Sequence, residues 1–333
     1  MKRPLPFLLA TALLIGAAQA QTAAPTEETP PAAATGKGAR PEAPAAPEAP
    51  PLDSRRFGVV PDPAYGAFQR GLYITALNLA RPKAEAGDAA AQTLVAEIYS
   101  RGLGVKQDQK EAAKWYRLAA EQGVPEAQFQ YALMLRSGRF VERDIDQAFA
   151  LMEDSANTGN VLAQFNFAQM VLERGNDAIA TDRAVSYYER AANKGLADAQ
   201  YAMAQTLANG AGSRQKDLPA ARQWLERAAQ QNFDSAQVEL GTWLVQGTGG
   251  PADAKAGFAW LKRAAEGGNV AARNRIAKLY MAGIGIEPDS VEAAGWYLNA
   301  RRAGLVDPEM EDFLEGLTDA QLADAAKRAD ARL

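Results

Sequence analysis

The sequence predicts an all-α chain, an α-solenoid of about six 36-residue helical hairpins closed by a C-terminal capping helix. Three observations carry that expectation. One motif set holds its register over more than 200 residues. Each copy contains the apolar period of an amphipathic helix. Each copy also places an acidic helix-start signal near the same point.

The residue closing each copy marks the register: Gly87, Gly123, Gly159, Gly195, Asn232, Gly268 and Gly304, in steps of 36, 36, 36, 37, 36 and 36. An Ala-Gln pair keeps that spacing at Ala91-Gln92, Ala127-Gln128, Ala163-Gln164, Ala199-Gln200 and Ala236-Gln237, with Ala272-Arg273 as its variant. An aromatic slot holds Trp115, Tyr187, Trp224, Trp260 and Trp296, with Leu151 filling it once. A fixed period of this length is the mark of stacked units, none of which can bury its apolar face alone.

The first helix of each copy opens near the Ala-Gln pair. In the second copy its apolar residues are Ala127, Tyr131, Ala132, Met134 and Leu135, the i, i+4, i+7, i+8 stripe. Paired glycines then end it, at Gly102 and Gly104, Gly210 and Gly212, Gly247 and Gly249, and Gly283 and Gly285. The second helix starts at Asp108, Asp144, Asp217, Asp253 or Asp289, seven residues before the aromatic slot. Asp108 with Glu111, Asp144 with Gln147, and Asp289 with Glu292 fit the capping box. Paired small residues, as at Ala228-Ala229, let neighbouring helices approach, with the aromatic residue filling the gap one turn earlier.

The departures have places in this scheme. The extra residue of the fourth copy falls between Gly210 and Asp217, in a loop. The third copy lacks the glycine pair and reads Glu173-Arg174-Gly175-Asn176-Asp177, so its turn differs in shape. Ala67 to Gly87 reads as a degenerate leading unit, and Thr318 to Gln321 as a capping box opening a last, solvent-facing helix. The acidic stretch from Glu309 to Glu315 reads as a solvated tail, with docking of a basic partner as the alternative. The expected organisation is signal peptide 1–20, linker 21–57, repeat solenoid 58–304 and capping helix 305–333.

The first residues, "MKRPLPFLLATALLIGAAQA", combine a basic start, a short apolar run and an Ala-Gln-Ala cleavage site. That pattern predicts a cleaved export signal with Gln21 as the mature start, placing the protein in the periplasm or outside the cell with no membrane insertion after cleavage. Residues 21–51 hold eight Pro and ten Ala, too little large apolar surface to offset the entropy of ordering, so a disordered tether is expected.

These motifs resemble the Sel1-like repeat family, a branch of the tetratricopeptide-like superfamily. The fifth copy carries the family pattern as Ala236-Gln237, Leu240-Gly241, Leu244, Gly247, Gly249, Asp253, Trp260-Leu261, Ala264-Ala265 and Gly268. The resemblance implies a right-handed α-solenoid that binds proteins or peptides. One cysteine-rich subgroup is associated with β-lactam hydrolysis; this chain has no Cys and does not inherit that role.

Composition narrows the chemistry. With no His and no Cys, the chain cannot build a Ser-His-Asp triad, a Cys-His dyad or an ordinary zinc site. A net charge of −4 gives no sign of nucleic-acid binding. No cofactor is expected. The predicted role is a non-enzymatic scaffold for a protein or peptide partner. The alternatives are a hydrolase of cell-wall or β-lactam substrates working through Ser, Lys or carboxylates, and a purely structural spacer. In related tetratricopeptide folds, the slot two residues after the first Ala of each copy looks into the concave groove. Here that slot holds Phe129, Phe165 and Tyr201 in successive copies, and Leu133, Gln169 and Gln205 lie one turn on. These six are the candidate partner-binding residues, with burial inside the superhelix as the competing reading.

Overall fold

A computed structural model of the chain describes residues 62–332, all within one compact unit, Val59–Leu333. The expected signal peptide and linker lie outside the described residues. Sixteen helices and no strand occur among the described residues. A leading pair, α1 (Pro63–Gln69) and α2 (Tyr73–Glu85), precedes six hairpins. These are α3 (Ala89–Arg101) with α4 (Gln109–Glu121), α5 (Pro125–Ser137) with α6 (Ile145–Asn157), and α7 (Val161–Arg174) with α8 (Ala178–Asn193). They continue as α9 (Ala197–Asn209) with α10 (Leu218–Gln230), α11 (Asp234–Gln246) with α12 (Ala254–Glu266), and α13 (Val270–Ala282) with α14 (Ser290–Arg302). Two helices, α15 (Pro308–Glu315) and α16 (Asp319–Asp330), end the chain. From α1 to α14 each helix packs on its sequence neighbours, so every hairpin shares its core with the next, as in a solenoid.

Local signals set the helix starts. Asp108, Asp144, Asp217, Asp253 and Asp289 are the N-caps of α4, α6, α10, α12 and α14, and each carboxylate accepts the N–H of the third helical residue. The reciprocal half of the expected capping boxes does not form at Asp108, Asp144 or Asp289; the full box closes at Thr318 and Gln321. At Asp108 and Asp289 the reason is competition. Glu111 instead accepts from the Trp115 indole at 3.1 Å, and Glu292 accepts from Arg328 at 2.8 Å and from Arg332 at 2.5 Å. The closing turns need positive φ, and Asn232 supplies it at +64° where the other copies use glycine.

The Ala-Gln pair proves to be a clasp. The side-chain amides of Gln92, Gln164, Gln200 and Gln237 are buried and donate to the carbonyls of Ala84, Ala156, Ala192 and Ala229 at 3.1–3.3 Å. Arg273 makes the same bond to Ala265 at 3.3 Å. The last carbonyls of a helix have no partner within it. In four copies a glutamine, and in the sixth an arginine, therefore ties the end of a second helix to the start of the next hairpin; Gln128 of the second copy is buried without this bond.

The core takes in the aromatic slot itself in two copies, where Tyr187 and Trp296 are buried, and shifts to the following residue in others. The aromatic slot is only half-buried at Trp115, Trp224 and Trp260. The residue after it is fully enclosed at Tyr116, Met152, Leu225, Leu261 and Tyr297, each at most 1% exposed. Trp115, Trp224 and Trp260 sit at the rim of the helix interface, and in three copies an arginine three residues on covers the slot's ring: Arg190 over Tyr187 at 4.8 Å, Arg227 over Trp224 at 4.5 Å and Arg263 over Trp260 at 5.8 Å.

Other expectations needed changing at the C-terminal end. The stretch read as a solvated acidic tail is α15, opened by Pro308 at its first turn. Its Met310 is fully buried, and Glu311 accepts from the Tyr297 hydroxyl at 2.5 Å. The last helix is not purely solvent-facing: α16 packs on α14 and buries Ala325 and Ala329. The third-copy turn differs as expected, with Gly175 extended at φ −163° and α8 lengthened to 16 residues from an Asp177 cap.

Candidate partner-binding face

The six candidate residues lie on the first helices of three successive hairpins: Phe129 and Leu133 on α5, Phe165 and Gln169 on α7, Tyr201 and Gln205 on α9. Spacing of i and i+4 stacks each pair one turn apart on one helix face. The structure gives the three pairs different environments. Phe129 is 5% exposed and belongs to the main core cluster, so it is a packing residue rather than an open anchor. Leu133 is half-buried against the same cluster.

Phe165 is half-buried with its ring 5.4 Å from that of Tyr188, whose phenol is pushed up to about 12 by burial and then by the Glu173 charge. Gln169 makes no hydrogen bond among the described residues, and its amide is not sealed from solvent. Tyr201 is half-buried with its ring 5.1 Å from that of Phe233. Burial, then the adjacent charge of Glu239, raises its phenol well above the ordinary tyrosine range. Gln205 donates to that same Glu239 at 2.5 Å. Tyr201 and Gln205 thus belong to a bridge between repeats, while Phe165 and Gln169 remain partly open.

One residue of this face escaped the sequence reading. Leu162 precedes Phe165 by three residues on α7 and is 47% exposed. Leu162, Phe165, Asn166 and Gln169 form an i, i+3, i+4, i+7 stripe, and that spacing alone could have marked it. Asn166 donates back to the Leu162 carbonyl at 2.9 Å, leaving its oxygen uncommitted.

At the sixth hairpin the corresponding slots are occupied by the chain's own end. Asn274 donates to Asp307 at 2.7 Å, and Lys278 reaches Asp307 at 2.8 Å and Glu309 at 2.7 Å. The Lys278 ammonium, then the Asn274 amide, hold the Asp307 carboxyl below its ordinary pKa against the opposing effect of burial.

Ser213-Arg214-Gln215-Lys216 has the Ser-x-x-Lys spacing of penicillin-recognising enzymes. That spacing brings Ser and Lys side by side on a helix turn. Here it falls in the inserted loop between α9 and α10, where Ala211 pairs with Arg214 and the Ser213 hydroxyl bonds Asp182 at 3.0 Å. The segment is not helical, and the serine is held by a carboxylate of the preceding repeat.

With this geometry in view, the likenesses to known proteins become informative. The Sel1 repeat matches six times, at residues 89–124, 125–160, 161–196, 197–233, 234–269 and 270–305. The chain belongs to the Sel1 repeat family. No curated protein matches it. Among solved structures, c5321, a protective antigen of uropathogenic Escherichia coli with an SLR fold, is 25% identical with a TM-score of 0.53, over 78% of this chain and 64% of that one. The chain therefore spans just under two thirds of that antigen's length. A Sel1 repeat protein from Oxalobacter formigenes is 24% identical with a TM-score of 0.61, over 73% of this chain and 97% of that one, and shows the shared fold. Sel1 repeat proteins are generally scaffolds for protein–protein interaction and typically not enzymes. No described helix is long and apolar enough to cross a membrane.

Proposed function

We propose that this protein is an exported, non-enzymatic adaptor that holds a segment of a protein partner on the first helices of its second to fourth repeats. The observation that carries the reading is the α7 stripe: an exposed Leu162, a half-buried Phe165 and the uncommitted amide of Gln169 on one face. An aliphatic and an aromatic anchor beside an amide suit an extended or helical peptide, because the amide can pair with backbone groups of either kind. The basic start, apolar run and Ala-Gln-Ala site of residues 1–20 support export to the periplasm or beyond. Regulation of an envelope or signalling protein is the role that such an adaptor would serve.

The test is a crosslinking pull-down from the envelope fraction, followed by titration of the captured partner against Phe165→Ala and Gln169→Ala. Gln169→Ala should weaken binding at least threefold with an unchanged melting temperature. If Gln169→Ala leaves affinity unchanged and Phe165→Ala merely lowers the melting temperature, the stripe is packing and the site lies elsewhere. Turnover of muropeptides or a chromogenic β-lactam by the purified chain would overturn the non-enzymatic reading.

A further inference from the structure

The second repeat breaks the glycine rule of its inter-helix turn. Counting from the start of each copy, position sixteen is Gly104, Gly212, Gly249 and Gly285 in the first, fourth, fifth and sixth, all with φ between +58° and +76°. In the second copy the same position is Phe140, still left-handed at φ +72°. A bulky residue adopts that conformation only when its surroundings impose it.

The glycines are there because the turn lies flat on the second helix of the preceding unit. A Cβ built on Gly285 would stand 2.2 Å from the Ala254 carbonyl oxygen, and one on Gly249 2.5 Å from that of Leu218. Ala254 and Leu218 open α12 and α10; their counterpart before the second copy is Gln109, which opens α4. Phe140 cannot lie flat in this way. The residue is 45% exposed, beside a cleft of about 700 Å³ that reaches from α2 to the start of α4.

The cleft has two kinds of wall. Leu77, Tyr99, Val105 and Phe140 make it apolar and partly aromatic. Arg81, Lys106 and Lys110 make it cationic, and the Arg139 guanidinium lies 5.5 Å from the Phe140 ring centre. None of these four cations forms an ion pair among the described residues; Arg81 donates to the Tyr99 hydroxyl instead. The one carboxylate in the wall, Asp108, is committed to capping α4 through the Glu111 N–H at 2.9 Å. A cleft with an excess of positive charge and an aromatic lip thus sits on a chain of net charge −4.

We infer that this cleft is a second docking site, distinct from the α7 stripe, for an acidic protein segment carrying an aromatic side chain. The cations would meet the carboxylates, and Tyr99 and Phe140 would take the aromatic ring. An exposed aromatic beside unpaired cations is the composition of an interface anchor rather than of a turn.

The experiment uses the full mature chain and a labelled decapeptide of alternating Asp and Glu around a central Phe. Fluorescence anisotropy should show saturable binding that weakens as salt rises. Phe140→Gly restores the residue used by four of the other five copies, so it should not lower the melting temperature, yet should weaken binding about tenfold or more. Lys106→Gln with Lys110→Gln should weaken binding and flatten its salt dependence. Equal affinity in Phe140→Gly, or a melting temperature that falls in step with affinity, would overturn the proposal. So would failure of the peptide to bind while vesicles containing phosphatidylglycerol do, because the cleft would then be a membrane contact.

Discussion

Replacing Gly241 with alanine sets two known effects against each other. Gly241 lies inside α11, where alanine ordinarily improves helix stability by about 1 kcal/mol. The same position crosses α12 at very short range. A Cβ there would stand 2.7 Å from Leu261 Cγ, 2.9 Å from the Gly257 carbonyl oxygen and 3.1 Å from the Leu261 nitrogen. Two of those three atoms are backbone and cannot rotate away. Gly257 meets the same crossing from the other side, its own Cβ position lying 2.6 Å from the Gly241 oxygen. Overpacking of this kind costs about 1–3 kcal/mol, and contacts below 3 Å with backbone belong in the upper part of that range. The net expectation is a loss of about 1–2 kcal/mol. Because a solenoid couples mainly to its neighbours, the loss should appear as faster amide hydrogen exchange in α10 to α13 and leave α2 and α3 unaffected. Gly66 is the control: it lies in α1 with nothing within 4 Å of its Cβ position, so Gly66→Ala should be neutral or stabilising. A rise in protection across α11 and α12 in Gly241→Ala would refute the close-crossing argument.

Two further outcomes follow from the geometry. Leu261→Ala should cost about 2–5 kcal/mol, whereas Trp260→Ala should cost about half the 3–5 kcal/mol of a fully buried aromatic, since its ring lies at the rim; urea unfolding that ranks Trp260 above Leu261 would contradict the placement of the core. The depressed carboxyl of Asp307 contributes stability that is fully present above the unfolded pKa of about 3.9 and is lost as pH falls below it. The melting-temperature gap between the natural chain and Asp307→Asn should therefore hold from neutral pH down to about pH 5 and narrow on further acidification; a gap that widens there would reverse the sign.

The sequence by itself determined whatever is local or repeated. Helix caps act over three residues, so Asp108, Asp144, Asp217, Asp253 and Asp289 could be read directly, and the 36-residue step fixed the hairpin count. Tertiary structure decided where one side chain has several suitors. Glu111 and Glu292 fit capping boxes in the sequence, but a tryptophan and two arginines claim them in the fold. Gln237 looks like a register mark until Ala229, eight residues back, turns out to need its amide. The same holds for the candidate site. Phe129, Phe165 and Tyr201 are equivalent by register, yet only packing separates a core ring from a half-open one, because burial depends on what the neighbouring helices place opposite each slot. Phe140 is the clearest case. One letter in a turn carries no periodic signal, and its meaning appears only when its left-handed backbone and the cleft beside it are seen together.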